Sequence, residues 1–175
     1  VNSSTDEPII SFLGPSLEDN FSQLDYCRFR QPGSNSNIDY GGVVYVENYD
    51  DLLIRNSLFK YPEADYGGAL AFNNSSAEIN SCIISYSEAR TSGGAIYCQD
   101  ASPVLANLTI YHNSSLGTFA AIAADAQSDP SIYNSIIWDN GSDPLSANLN
   151  VKYSNIEGGY NGVQNLDADP CFIST

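Results

Sequence analysis

The residues able to do chemistry are few in this chain, and their spacing disfavours catalysis. One histidine, His112, serves all 175 residues, so no nucleophile–base–orienter set assembles around it. It lies in Tyr111-His112-Asn113-Ser114, a polar stretch that predicts a solvent-facing turn. Of the cations Arg28, Arg30, Arg55, Lys60, Arg90 and Lys152, only Arg28, Arg30, Arg55 and Lys60 can share a face. The carboxylate pair Asp50-Asp51 falls in a turn. Cys27, Cys82, Cys98 and Cys171 allow three pairings and lack metal-site spacing. A disulfide framework and buried thiols packing as small hydrophobes both stay open. No catalytic residue, metal site or cofactor is therefore expected.

Whatever these residues do, a repeat must position them. The pairs Gly41-Gly42, Gly67-Gly68 and Gly93-Gly94 recur every 26 residues, each followed by a short apolar strand. A fourth copy keeps the strand, Ala121 to Ala124, but reads Phe119-Ala120 in place of the pair. A fixed period in the twenties marks a solenoid, whose units cannot bury their apolar faces alone. Alternation after each pair predicts two inward ladders, Val44, Leu70, Ile96, Ile122 and Val46, Phe72, Cys98, Ala124.

A second strand follows in each coil. Phe59, Ile83, Ile110 and Ile137 read as one apolar ladder, preceded by Ser57, Ser81, Leu108 and Ser135. Ile54, Leu105 and Ile132 stand five residues before their partners, an odd spacing that requires a bend. Asn56, Asn80, Asn107 and Asn134 occupy that bend, and Asn tolerates left-handed backbone geometry best among non-glycine residues. Rung-to-rung amide bonds at this corner would block the sequon at Asn107. In this alignment Cys98 and Cys27 point inward and Cys82 outward. The pattern extends to both ends and counts about six coils.

The Gly-Gly-Ala-Ile strand and Ile-X-X-Asn (Ile110 to Asn113, Ile137 to Asn140) resemble a right-handed parallel β-helix. In particular they are similar to repeats of bacterial polymorphic outer-membrane proteins and related secreted β-helix proteins. Residues 153 to 162 and 167 to 172 resemble a segment recurring in bacterial β-helix proteins. The resemblance spans about residues 20 to 172. It implies an all-β fold, and adhesion, surface display and structural roles as well as polysaccharide cleavage. Of the signatures of pectin-hydrolase-like enzymes, only Asp50-Asp51 is present. The expected organisation is an N-terminal strand or extension, 1–14, and a parallel β-helix domain, 15–175.

Six Lys and Arg against 21 Asp and Glu give a net charge of −15, which repels nucleic acid and anionic headgroups. No apolar stretch approaches the ~20 residues of a membrane span. A chain that starts at Val1, contains no Met and carries seven sequons reads as a processed, secreted or cell-surface product. Two outward surfaces stand out. Lys60, Ile84, Tyr111 and Trp138 form one register, making Tyr111 and Trp138 candidate contacts for glycan or protein. The other is a smooth face of Ala69, Ala71, Ala95, Ala121 and Ala123 with Tyr45 and Tyr97. No amphipathic capping helix is visible at either end. The N-terminal strand, with Ile9, Ile10, Phe12 and Leu13, either caps its own first coil or adds to another subunit. The expectation is a non-catalytic extracellular structural or adhesive protein that self-associates into filaments or a surface layer; the alternative is carbohydrate binding or polysaccharide degradation.

Overall fold

The computed structural model describes residues 8–14, 21–30 and 38–173, which form short strands and no helix. Each coil visits up to four faces, here A to D in chain order, and each strand pairs in parallel with its counterpart one coil away. Face A holds five strands, from Ile10–Leu13 to Ile122–Ala124. Faces B and C hold six each, from Ser22–Asp25 to Asn150–Lys152 and from Arg28–Arg30 to Asn155–Ile156. Face D holds three: Glu63–Tyr66, Glu88–Ser92 and Ser114–Ser115. The chain is thus an all-β, right-handed parallel β-helix of about four turns. The count of six expected from the sequence treats the partial coils at both ends as complete. Among the described residues, neither of these adds a strand to face D.

Side-chain ladders fill the interior. On face A, Val44, Leu70, Ile96 and Ile122 stack in register beside Val46, Phe72, Cys98 and Ala124, as alternation predicts. Face B contributes Ile54, Ile79, Leu105, Ile132 and Val151. Face C contributes Phe59, Ile84, Ile110, Ile137 and Ile156. Of all these, only Ala124 is not fully enclosed. Each large ladder residue withdraws enough apolar surface to contribute roughly 1.5–3 kcal/mol.

The third coil corrects the sequence alignment. Ile84, not Ile83, stacks between Phe59 and Ile110, so Cys82 lies inside at 1% exposure and Ile83 outside at 43%. The cause is the dipeptide Asn80-Ser81, which imitates Asn56-Ser57 and Asn134-Ser135 but sits one residue early. A one-residue slip exchanges inside for outside along a whole strand. The left-handed residues at this corner are accordingly Tyr26, Asn56, Ser81, Asn107, Asn134 and Tyr153, with φ of 51 to 55°, while Asn80 ends a strand. This corner faces solvent: Asn107 is exposed and its amide donates to Asn80 Oδ1 at 3.0 Å. Its sequon is therefore not buried. The buried sequons are instead Asn113 and Asn140, the Asn of Ile-X-X-Asn. Asn140 Nδ2 donates to the carbonyls of Ile110 and Trp138, both at 2.9 Å, and its Oδ1 accepts from the Asn113 N–H at 3.0 Å. Between turning coils these amides satisfy carbonyls that no strand can reach.

The smooth alanine face is also closed. Ala69, Ala95 and Ala121 turn into the core, and Ala71 alternates in register with Tyr45 and Tyr97 beneath a cluster completed by Tyr40 and Tyr66. At the C-terminal end a loop, not a helix, provides the cap. Val163 bridges to Lys152 and Leu166 to Asn155. Tyr160 packs on the core, accepting the Leu149 N–H and donating to Ser146.

The glycine pairs do two jobs. Gly41, Gly67 and Gly93 are left-handed, with φ of 59, 64 and 68°, and Phe119 adopts the same conformation at 53°. The second glycine clears its neighbours: a methyl on Gly68 would strike the carbonyl oxygens of Gly94 and Glu88, the latter at 2.6 Å. Ala120 escapes this because no further described strand extends face D beyond Ser114–Ser115. Gly68→Ala should cost about 3 kcal/mol in denaturant unfolding, whereas Ala120→Gly should cost about 1 kcal/mol or less.

All four cysteines are free, with Cys82 and Cys98 buried, Cys27 half-buried and Cys171 exposed. Burial pushes the Cys82 thiol up to about 11 and raises that of Cys98 further. With an aromatic disulfide reagent at pH 8, Cys171 should react first, followed by Cys27. Cys82 and Cys98 should react only after unfolding; rapid native labelling of Cys82 would restore the rejected alignment.

Candidate functional site

Face C carries a distinctive outer surface. Its outward column runs Arg30, Lys60, Ser85, Tyr111, Trp138 on successive coils, about 4.8 Å apart. Ser85 replaces the Ile84 expected from sequence, by the same one-residue slip. Tyr111 and Trp138 are register partners, as expected, and both remain partly exposed. A second outward column, Arg28, Leu58, Ile83, Thr109 and Ile136, runs beside it.

The turn after face C widens this surface. Tyr61, Tyr86, His112 and Asp139 each follow the outward column residue and adopt left-handed backbone, with φ of 53 to 66°. Asn, for which this conformation is least costly, occupies three of the six described positions of the B–C corner. Bulky aromatics there cost of order 1–3 kcal/mol each, and such strain concentrates at working sites. Ring stacking offsets part of it: Tyr61 lies 5.2 Å from Tyr86, which stacks on His112 at 5.0 Å and 22°. Lys60 Nζ sits over the Tyr61 and Tyr86 rings at 4.9 and 5.0 Å. His112 Nδ1 lies 2.9 Å from Asp139 Oδ2, with both side chains substantially exposed. It is a turn residue, as its sequence context predicts, but one held in a paired and stacked position.

The C-terminal tail raises one wall. Asn155 holds it by exchanging hydrogen bonds with Ala168, and Phe172 brings its ring 5.5 Å from Tyr111. The cleft so formed has a volume of about 490 Å³ and is lined by aromatics, Lys60, His112, Asp139 and Asp169. Ser85 Oγ lies buried in the outward column without a hydrogen-bond partner. Sequence reasoning placed Tyr111 and Trp138 outward on adjacent coils, as they are, but did not single out Tyr61, Tyr86 and Phe172 beside them. The first two were detectable once the frame was right, since each stands two residues after an inward ladder residue. Phe172 depends on the path of the tail, for which the sequence carried no periodic signal.

Rings paired with flanking charges can bind a flat or amphipathic ligand, and the open trough admits an extended one. Among the described residues no group of three His, Cys, Asp or Glu is arranged to hold a metal ion.

The proposed subunit-contact residues divide between two environments. Ile10–Leu13 pairs with Val44–Glu47 of its own chain, and Ile10 and Phe12 rest on its own core. Ile9 and Leu13 point out, at 54% and 63% exposure. The other edge of this strand pairs with no described residue.

No curated protein and no solved structure shows a significant match to the chain. A family model described as the right-handed beta helix region matches residues 18–174. That match covers every strand described above except Ile10–Leu13, and with the parallel ladders it shows that the chain belongs to the right-handed beta helix family.

Proposed function

We propose that this chain is a non-catalytic, extracellular adhesive β-helix that engages carbohydrate through the aromatic trough of face C. The observation that carries the reading is the adjacent pair Tyr111–Trp138, held in register and half-open beside Tyr86, His112 and Phe172. Sugar rings present apolar C–H faces between polar rims, and stacked aromatics with nearby polar groups complement both. The single histidine pairs with Asp139 and stacks on Tyr86, which adds a fixed planar polar group to the trough. The resemblance of the repeat to polymorphic outer-membrane and secreted β-helix proteins supports an extracellular or cell-surface setting.

Trp138 is the only tryptophan, so its fluorescence reports on the trough directly. In a glycan screen, wild type should bind at least one neutral oligosaccharide at up to millimolar concentration, with a change in emission. Trp138→Ala should weaken that binding about tenfold, the equivalent of roughly 1.5 kcal/mol of stacking. No binding, or binding indifferent to Trp138, removes the reading.

Self-association is a second reading, favoured by the N-terminal strand. The Ile10 and Gly14 amides donate to Val43 and Glu47, so alternation directs the Ser11 and Leu13 amides to the free edge. An exposed edge with Ile9 and Leu13 beside it is a template for strand addition by another copy. Wild type should then sediment with concentration-dependent mass, and a Ser11→Pro, Leu13→Pro variant should stay monomeric while remaining folded. A wild-type monomer at all concentrations tested excludes this contact.

A further inference from the structure

Charge is distributed unevenly over this acidic molecule. The chain has 21 Asp and Glu against six Lys and Arg, yet the six strands of face C contain no carboxylate and three of the six cations, Arg28, Arg30 and Lys60. Of the other three cations, Lys152 on face B lies 5.9 Å from the Tyr133 ring centroid, and the remaining two are used internally. Arg55 pairs with Asp25, and Arg90 with Glu63 and Asp65. Arg28, Arg30 and Lys60 have no carboxylate partner among the described residues. Arg28 and Arg30 are exposed. Arg30 and Lys60 approach only rings, Arg30 lying 5.7 Å from the Tyr61 centroid. Three cations on one face of a −15 chain without a carboxylate partner among the described residues point to an anion supplied from outside.

We infer that face C binds an anionic oligosaccharide lying along the solenoid axis, with a sugar ring on Tyr111 and Trp138 and a sulfate or carboxylate group at Arg28, Arg30 and Lys60. This rests on the carbohydrate reading above and adds the chemical class and direction of the ligand. The direction follows from the ends of the trough. Asp139 and Asp169 stand at the Trp138 end and repel an anion, whereas the cations occupy the coils before Tyr86. From Lys60 to Tyr111 is two coil steps, roughly 10 Å, so the ring and the anionic group belong to different sugar residues. Guanidinium groups present paired donors that suit the oxygens of sulfate and carboxylate alike.

The test uses one sugar backbone in three charge forms: oligosaccharides of dextran, carboxymethyl-dextran and dextran sulfate, titrated into the full chain at low salt. At least one anionic form should bind about tenfold more tightly than dextran, since exposed ion pairs each contribute a factor of about two to five. Arg28→Gln and Arg30→Gln together, both outside the cleft lining, should remove most of that preference and leave dextran binding intact, while Arg30→Lys retains part of it. Trp138→Ala should weaken all three. Preference for one anionic form identifies sulfate or carboxylate as the recognised group. Equal affinity for the three forms overturns the inference and leaves the carbohydrate reading standing. Anionic binding that polyglutamate matches, with no dextran binding and no effect of Trp138→Ala, overturns both, because the face is then a plain anion patch.

Discussion

Parallel pairing between successive coils is the constraint on which the rest depends. A single coil buries almost nothing and leaves the amides and carbonyls of its strands unpaired, so each coil is stable only in the register its neighbours impose. That register is two-sided: it aligns Leu70, Ile96 and Ile122 inside and, equally, Lys60, Ser85, Tyr111 and Trp138 outside. The outward columns are thus positioned by the same hydrogen bonds that form the core. A ligand surface built this way is rigid before it meets its ligand, and little ordering entropy is lost on binding.

Corners are where the register is costly, and the chain meets that cost differently at each one. Between faces D and A it uses glycine, because a carbonyl of the next coil passes where a Cβ would stand. Between B and C it uses Asn in three of six described coils, where left-handed backbone is least strained, and Tyr26, Ser81 and Tyr153 in the others. Between C and D it uses Tyr61, Tyr86, His112 and Asp139, which gain nothing in backbone terms from that conformation. Their side chains recover part of the strain by stacking and pairing, and they do so on the one face that also exposes Tyr111 and Trp138. Tyr26 and Tyr153 adopt the same backbone at the B–C corner of the end coils, so left-handed tyrosine is not confined to this turn; what the C–D turn adds is the stack of Tyr61, Tyr86 and His112 on successive coils.

The period made the fold legible. Three glycine pairs 26 residues apart, with alternating strands behind them, fixed the face A ladders residue for residue, because glycine spacing there records a direct steric need. The B–C alignment failed by one residue at Asn80-Ser81. Asn and Ser both suit bends, so a local imitation of the corner was indistinguishable from the corner itself, and the slip reversed Cys82, Ile83 and Ile84 together. Tyr111 and Trp138 were recovered since their coils lacked such a decoy. The tail contact of Phe172 and the tyrosine roof over Ala71 were not legible, as both depend on non-repeating chain paths. The coil count was high because residues matching the ladder at either end do not carry the full set of faces.

The position of the candidate site within the solenoid follows from its two ends. The C-terminal end is closed by Val163 and Leu166, and the same tail continues to Asp169 and Phe172 beside the trough. Capping and site-building are thus performed by one segment: the loop that prevents further strand addition also supplies a wall. The N-terminal end has the reverse character. Its outermost strand is held by its own core through Ile10 and Phe12, yet its outer edge pairs with no described residue. A molecule capped at one end, and at the other carrying a strand edge that pairs with no described residue, has a direction, and face C shares it, with cations toward the N-terminal coils and carboxylates toward the capped end. Growth at that strand edge, if another copy adds there, would extend face C from its cationic side and leave the aromatic pair Tyr111–Trp138 untouched. Assembly and ligand binding would then use separate parts of one rigid scaffold, so each can be abolished without the other.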